Sequence, residues 1–203
     1  LGRPADRGVA AREAAEAVKE AARAARSRFL DGMGDAKTGG NYAASLLAQA
    51  EAAAQGCDQV CYLDAVEHKW VEELGGMNLY FVYGAASNEK PVIVTPTLTG
   101  SILEGVTRDS LLTVARDLGY ESEEARVSIE QWQRDSENGT LTEVFACGTA
   151  AVITPVGTVK RTNAEWQQSG GEPGPVTLRL REALLDIQRG TAEDKHGWMH
   201  QLG

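Results

Sequence analysis

Cysteine is scarce in this chain: 203 residues contain only Cys57, Cys61 and Cys147. An odd number without a stapling pattern excludes a disulfide-built scaffold and suits a reducing compartment, with all three read as buried or free thiols. Cys57 and Cys61 lack a second pair of ligands, and His196 and His200, four apart, lack a third, so no metal site is expected. Long apolar runs are also missing. None approaches the roughly 20 residues of a membrane-spanning helix, and the arginine-bearing N-terminus lacks the apolar stretch of a secretory signal. The expectation is a cytoplasmic protein with no membrane partner. Positive charge is in deficit, with 20 Lys and Arg against 29 Asp and Glu, a net charge of -9 and a pI near 4.9. Without a basic stripe, nucleic acid is not an expected partner. There is no internal repeat and no heptad array.

What remains is a chain long enough for one sizeable core. Residues Gly8 to Phe29 are mostly alanine with interspersed arginine and glutamate, a composition with high helix propensity and little large apolar surface. Arg12, Arg23, Arg26 and Arg28 could reach a phosphate, but their spacing singles out none of them. Helices are expected over Tyr42 to Ala54, closed by Gly56, over Thr107 to Leu118, with Thr107 at the N-cap and Gly119 at the stop, and over Val176 to Arg189, ended by Gly190. Strands are expected at Gln59 to Asp64, Val71 to Tyr83, Pro91 to Thr95, Ala125 to Ile129, Glu143 to Cys147, Ala151 to Val156 and Val159 to Arg161. Asn88 marks a polar turn, Gln131-Trp132-Gln133 starts a short helix, and Ser169 to Pro175 forms a loop.

Three segments carry chemistry. The first is Lys37-Thr38-Gly39-Gly40-Asn41-Tyr42, where a lysine before paired glycines leaves room for a bulky group at the amine. Lysine can attack an aldehyde to form a Schiff base, and burial or neighbouring charge tunes it for work near neutral pH. The second is Glu72-Glu73-Leu74-Gly75-Gly76-Met77-Asn78, and the third is Glu143-Val144-Phe145-Ala146-Cys147-Gly148-Thr149-Ala150. Together they supply an amine, a carboxylate and a hydroxyl beside glycine, the groups that pyridoxal phosphate needs for its aldehyde, ring nitrogen and phosphate. The start of the helix after Gly105 adds outward-pointing backbone N–H groups, which suit a phosphate dianion.

With Gly105-Val106-Thr107-Arg108 and the tail Asp186-Ile187-Gln188-Arg189-Gly190, these motifs closely resemble the branched-chain amino acid aminotransferases of the fold-type-IV pyridoxal-phosphate enzymes, from about Gly34 to the C-terminus. The resemblance implies an α/β (α+β) fold, a cofactor-binding large domain over residues 34–203 with a curved, partly barrel-like mixed sheet and outer helices. It also implies that a smaller N-terminal domain, which in the family supplies a phosphate-binding arginine and part of the substrate pocket, is missing. Residues 1–33 are then either an Ala/Arg-rich helical extension foreign to the fold or a compact substitute for that domain.

By the same resemblance, Lys37 holds pyridoxal 5'-phosphate and moves the proton at the substrate α-carbon. Tyr42 bonds the ring oxygen, and Glu73 faces the pyridine nitrogen, leaving Glu72 as a solvated charge. Val106, Thr107 and Thr149 grip the phosphate, Thr149 and Ala150 meet the substrate carboxylate, and Met77 touches the apolar side chain. Gly76 stands where some members carry a hydroxyl residue, and the redox cysteine pair of some animal members would fall at Ala151 and Thr154. The implied activity is amino transfer between leucine, isoleucine or valine and 2-oxoglutarate by a homodimer. The alternatives are a truncated half that is inactive or partner-dependent, and another fold-type-IV activity such as D-amino acid transamination or aminodeoxychorismate lysis. In the truncated case an uncovered apolar patch would promote self-association.

Overall fold

The computed structural model describes residues 36–85 and 90–200. The expectations for the alanine-rich N-terminal helix and for the turn at Asn88 lie outside the described residues. Helix α1 (Gly39–Ala54) leads into strands β1 (Cys61–Leu63), β2 (Val71–Leu74), β3 (Met77–Tyr83) and β4 (Val92–Pro96). Helix α2 (Val106–Asp117) then crosses to β5 (Glu121–Ala125), followed by α3 (Ile129–Glu137) and β6 (Leu141–Gly148). Strands β7 (Val152–Pro155), β8 (Thr158–Arg161) and β9 (Ala164–Gln167) precede a single 3-10 turn and the final helix α4 (Pro175–Arg189).

Seven strands form one mixed sheet. Its pairings are antiparallel except for β4 with β5, the pair joined by α2. Parallel neighbours need such a crossover, since a tight turn can only reverse the chain. The run Leu-Tyr-Phe-Val within β3 is buried on both faces, which is why it reads as continuously apolar. Tyr80 and Val82 project to one side, into a core built with Phe145, Cys147 and the inner faces of α2 and α4. Leu79 and Phe81 project to the other, where Trp132 of α3 and Trp166 of the β8–β9 hairpin cover them. Helices α2 and α4 therefore cover one face, and α3 with the small hairpin covers the other. Tyr80 stacks on Phe145 with ring centroids 5.1 Å apart, while Phe81 meets Trp132 edge-on; such pairs add about 0.5–1.5 kcal/mol each beyond their buried area.

One edge of β3 pairs with β6 along most of its length. The opposite edge is shared: β2 pairs with its first residues and β4 with its last. The sheet consequently opens between β2 and β4, and the loop that leaves β4 folds back into that opening. Thr95, fully buried, donates its hydroxyl to Leu79 O where the ladder parts.

Several expected boundaries move. The span Val71 to Tyr83 is a hairpin of two strands, broken at Gly75-Gly76, with Gly75 at φ +61°. The strand expected over Ala125 to Ile129 instead occupies Glu121–Ala125, and α3 starts at Ile129, two residues before Gln131, because the Ser128 hydroxyl accepts from Gln131 N and caps it. The β9 strand falls where no element was expected. Helix α1 extends three residues earlier than expected, to Gly39, and buries only Ala48 among its described apolar side chains; Tyr42, Leu46 and Leu47 are exposed.

Candidate functional site

The two-residue turn at Gly75-Gly76 sets the register of the hairpin: Leu74 faces Met77, and Glu73 faces Asn78. Gly75 lies in the left-handed region that favours glycine, and a Cβ there would push aside Gln59 Oε1. Gly76 is open, with the Tyr42 ring 3.7 Å from where a Cβ would stand. Tyr42, at 48 % exposure, thus leans over the end of the hairpin from α1.

Glu73 is partly buried at the mouth of the sheet opening, and its Oε1 accepts the Leu103 N–H at 2.8 Å. Burial pushes its carboxyl up to about 7; the Leu103 hydrogen bond pulls the other way, the neighbouring Glu72 charge raises it further, and the Lys37 ammonium lowers it. Lys37 is therefore within electrostatic reach of Glu73, although it is itself exposed. Glu72, expected as a solvated charge, is not one. Its Oε1 accepts from Ser101 Oγ at 2.6 Å and from Thr99 Oγ1 at 3.4 Å, and burial raises its pKa. Both acids thus grip the 99–103 loop, Glu72 through two hydroxyls and Glu73 through a backbone N–H.

That loop delivers the start of α2. Gly105, not Thr107, is the N-cap, and no side chain caps the first turn. Thr107 lies inside the first turn, and a Cβ at residue 105 would displace Asn78 Oδ1. The amides of Val106 and Thr107 are left at an uncapped helix start, and Val106 is 80 % exposed, so this end faces open space. Behind it, the buried Arg108 guanidinium donates to Pro96 O at 2.9 Å and pairs with Glu124 at 2.8 Å, and the Tyr80 hydroxyl donates to Arg108 O.

Thr149 and Ala150 occupy the exposed turn between β6 and β7, just beyond the pair Gly148 and Val152. Cys147 faces Asn78 across the β3–β6 pairing, so this turn stands next to the β2–β3 hairpin. Met77, half-buried, lies 3.5 Å from the position of a Cβ on Gly148. The structure thus gathers Lys37, Tyr42, Glu73, Met77, Val106, Thr107, Thr149 and Ala150 at one end of the sheet. Lys37 is tied to that cluster only by its charge on Glu73. Asn78, Arg108 and Ser101 were assigned no role from sequence. For Asn78 the signal was present, since a two-residue glycine turn places it opposite Glu73.

Burial pushes the Cys61 and Cys147 thiols up to about 12. His196 contacts Asp117 Oδ2 at 2.6 Å. Among the described residues no cluster of three or more His, Cys, Asp or Glu could hold a metal ion, and no helix is long and apolar enough to cross a membrane.

Comparison with known proteins bears on this arrangement. Residues 10–159 match the family Amino-transferase class IV. The chain is 84 % identical over 171 residues to a probable branched-chain-amino-acid aminotransferase of Streptomyces coelicolor, covering 84 % of this chain and 46 % of the relative. It is 58 % identical over 172 residues to the branched-chain-amino-acid aminotransferase of Mycobacterium tuberculosis, covering 85 % of this chain and 46 % of that one. The crystal structure of a branched-chain amino acid aminotransferase from Thermobaculum terrenum in its PLP-form superposes with a TM-score of 0.64 at 33 % identity, covering 81 % of this chain and 48 % of that one. The chain spans about half the length of the curated relatives it matches.

Proposed function

Because the chain belongs to the class IV aminotransferase family, we propose that it carries the cofactor half of a branched-chain amino acid aminotransferase, exchanging amino groups between leucine, isoleucine or valine and 2-oxoglutarate. In this reading residues 34–203 form the cofactor-binding large domain and residues 1–33 an extension to it. The observation that carries the reading is Glu73, a half-buried carboxylate with its pKa raised to about 7, hydrogen-bonded to the loop that leads into the uncapped start of α2.

These residues fit pyridoxal 5'-phosphate. A carboxylate on one side of the opening and free amides on the other match a cationic ring nitrogen and a phosphate dianion. The cofactor, when bound, supplies an aldehyde that takes up an amino group and a ring that accepts electron density. Glu73 is the counter-charge that keeps the ring nitrogen protonated. Val106 and Thr107 bind the phosphate through their N–H groups, and the Thr149 hydroxyl adds a further donor. Tyr42, leaning over Gly76, would hydrogen-bond the ring oxygen. Lys37 Nζ would anchor the cofactor and would serve as the acid and base that moves the proton at the substrate α-carbon. The amides of Thr149 and Ala150 orient the substrate carboxylate, while Met77 accommodates branched apolar side chains.

Cytoplasmic location and homodimeric assembly belong to the same reading. The exposed apolar strip of Tyr42, Leu46 and Leu47 on α1 supports assembly through that side. A second reading, turnover only together with a complementary chain, is favoured by the exposure of both Lys37 and Tyr42. Glutamate formation from leucine and 2-oxoglutarate, assayed with the purified chain, pyridoxal phosphate and the Lys37→Ala variant, tests the proposal. Lys37-dependent glutamate supports independent catalysis. Full activity in Lys37→Ala refutes the mechanism.

A further inference from the structure

The main-chain groups of Leu103 are held on both sides by one cross-strand pair. Its N–H donates to Glu73 Oε1 at 2.8 Å, and its C=O accepts from Asn78 Nδ2 at 2.9 Å. Glu73 and Asn78 face one another across the β2–β3 hairpin. The same carbonyl also accepts Gly105 N at 2.8 Å, closing a tight turn immediately before α2. Asn78 is buried, and its Oδ1 fills the space a side chain at residue 105 would need. Two residues along β3, and so on the same face, Tyr80 holds Arg108 O in the first turn of the helix. Asn78 and Tyr80 are thus successive hooks on one strand that fix the α2 start above the sheet, while Asn78 alone also shares Leu103 with the carboxylate.

We propose that Asn78 is a positioning residue: through Leu103 it locks the phosphate-binding amides of Val106 and Thr107 at a fixed separation from Glu73, so that ring and phosphate are gripped by one strapped unit. This rests on the cofactor reading above and deepens it. Asn78 acts through the loop, its amide being engaged with Leu103 O and with residue 105. In water an unstrapped loop would sample many positions, and phosphate binding would have to reorder it at a cost in affinity.

The test uses two readouts on the whole chain. Amide hydrogen exchange reports the strap, and fluorescence titration with pyridoxamine 5'-phosphate, which needs no covalent bond to Lys37, reports the cradle. In Asn78→Ala, exchange at Leu103 and Gly105 is expected to rise about tenfold or more while Leu79 and Phe81 in the centre of β3 stay protected, and the dissociation constant is expected to rise about tenfold. Gly105→Ala approaches the same contact from the other side, since its Cβ would displace Asn78, and it is expected to give the same pair of changes even if Asn78→Ala does not fold. Faster exchange with unchanged affinity, or unchanged exchange in the folded variants, overturns the proposal. Absence of pyridoxamine phosphate binding by the unaltered chain overturns the cofactor reading together with it, whereas binding that survives loss of the strap overturns the positioning role alone.

Discussion

Replacing Glu73 with glutamine removes one ionisable group and keeps its shape and the oxygen that accepts Leu103 N–H. The carboxyl is displaced from its ordinary 4.5 to about 7, with burial as the first cause. A raised folded-state pKa means that the folded protein holds the proton more tightly than the unfolded chain does. The associated stability is fully present below 4.5 and is lost as pH rises through about 7. At about 1.4 kcal/mol per pH unit, the ionised carboxylate costs the folded chain about 3 kcal/mol above that window. Glutamine does not titrate and escapes this loss. Urea unfolding of the protein and of Glu73→Gln, without cofactor, at about pH 5 and about pH 8.5 should therefore show the difference between them shift in favour of the variant by about 2 to 3 kcal/mol. A gap independent of pH would refute the argument that burial strains this acid. The same strain is what a cationic ring nitrogen would relieve, and that links the stability measurement to the site.

Other perturbations test the frame around the site. Burial works against the ionised form of Asp64, yet backbone N–H groups of Trp70, Glu67, Lys69 and Val66 more than offset it and hold the pKa at about 2. This stability is present above the ordinary 3.8 and lost as pH falls through about 2; Asp64→Ala should cost about 2 to 4 kcal/mol in neutral urea titrations and far less in strong acid. Trp132→Ala, which empties the centre of the core on the α3 side and removes a donor from Gln168 Oε1, should cost about 3 to 5 kcal/mol by thermal or urea unfolding. With the partly exposed Cys57 and Cys61 replaced by serine, the buried Cys147 thiol, pushed up to about 12 by burial, should react with an aromatic disulfide reagent at neutral pH only after denaturation, and rapid reaction in the folded chain would contradict its placement.

The elements that were legible in the sequence are those whose signals are local. The apolar run of β3 announced a strand, Gly119 and Gly190 marked the ends of α2 and α4, and the apolar positions of α2 lie in the core as its 3.6-residue spacing requires. Strand β5 was misplaced because Glu-Ser-Glu-Glu-Ala carries no strand pattern; parallel pairing with β4 at the edge of the sheet overrides its weak propensity. The start of α3 could have been read from Ser128 and Gln131, which fit a capping box, but the β-branched residues Val127 and Ile129 suggested a strand. In the site, Glu73 was named over Glu72 by its place in the motif Glu-x-Gly-Gly-Met-Asn that carries the family resemblance. The grip of Glu72 on Ser101 and of Asn78 on Leu103 depends on a loop that leaves β4 and returns to an earlier hairpin, a contact that no local pattern encodes. The family motifs therefore name candidate chemistry-bearing residues, but not the loop contacts that surround them.

The central claim is that Lys37 and the cradle around Glu73 form a working pyridoxal-phosphate site. The most direct test is the absorbance spectrum of the purified chain with pyridoxal 5'-phosphate, before and after adding leucine, beside the Lys37→Ala variant. A cofactor band that requires Lys37 and shifts when leucine is added is the predicted result. A spectrum that is the same in the unaltered chain and in Lys37→Ala would contradict it.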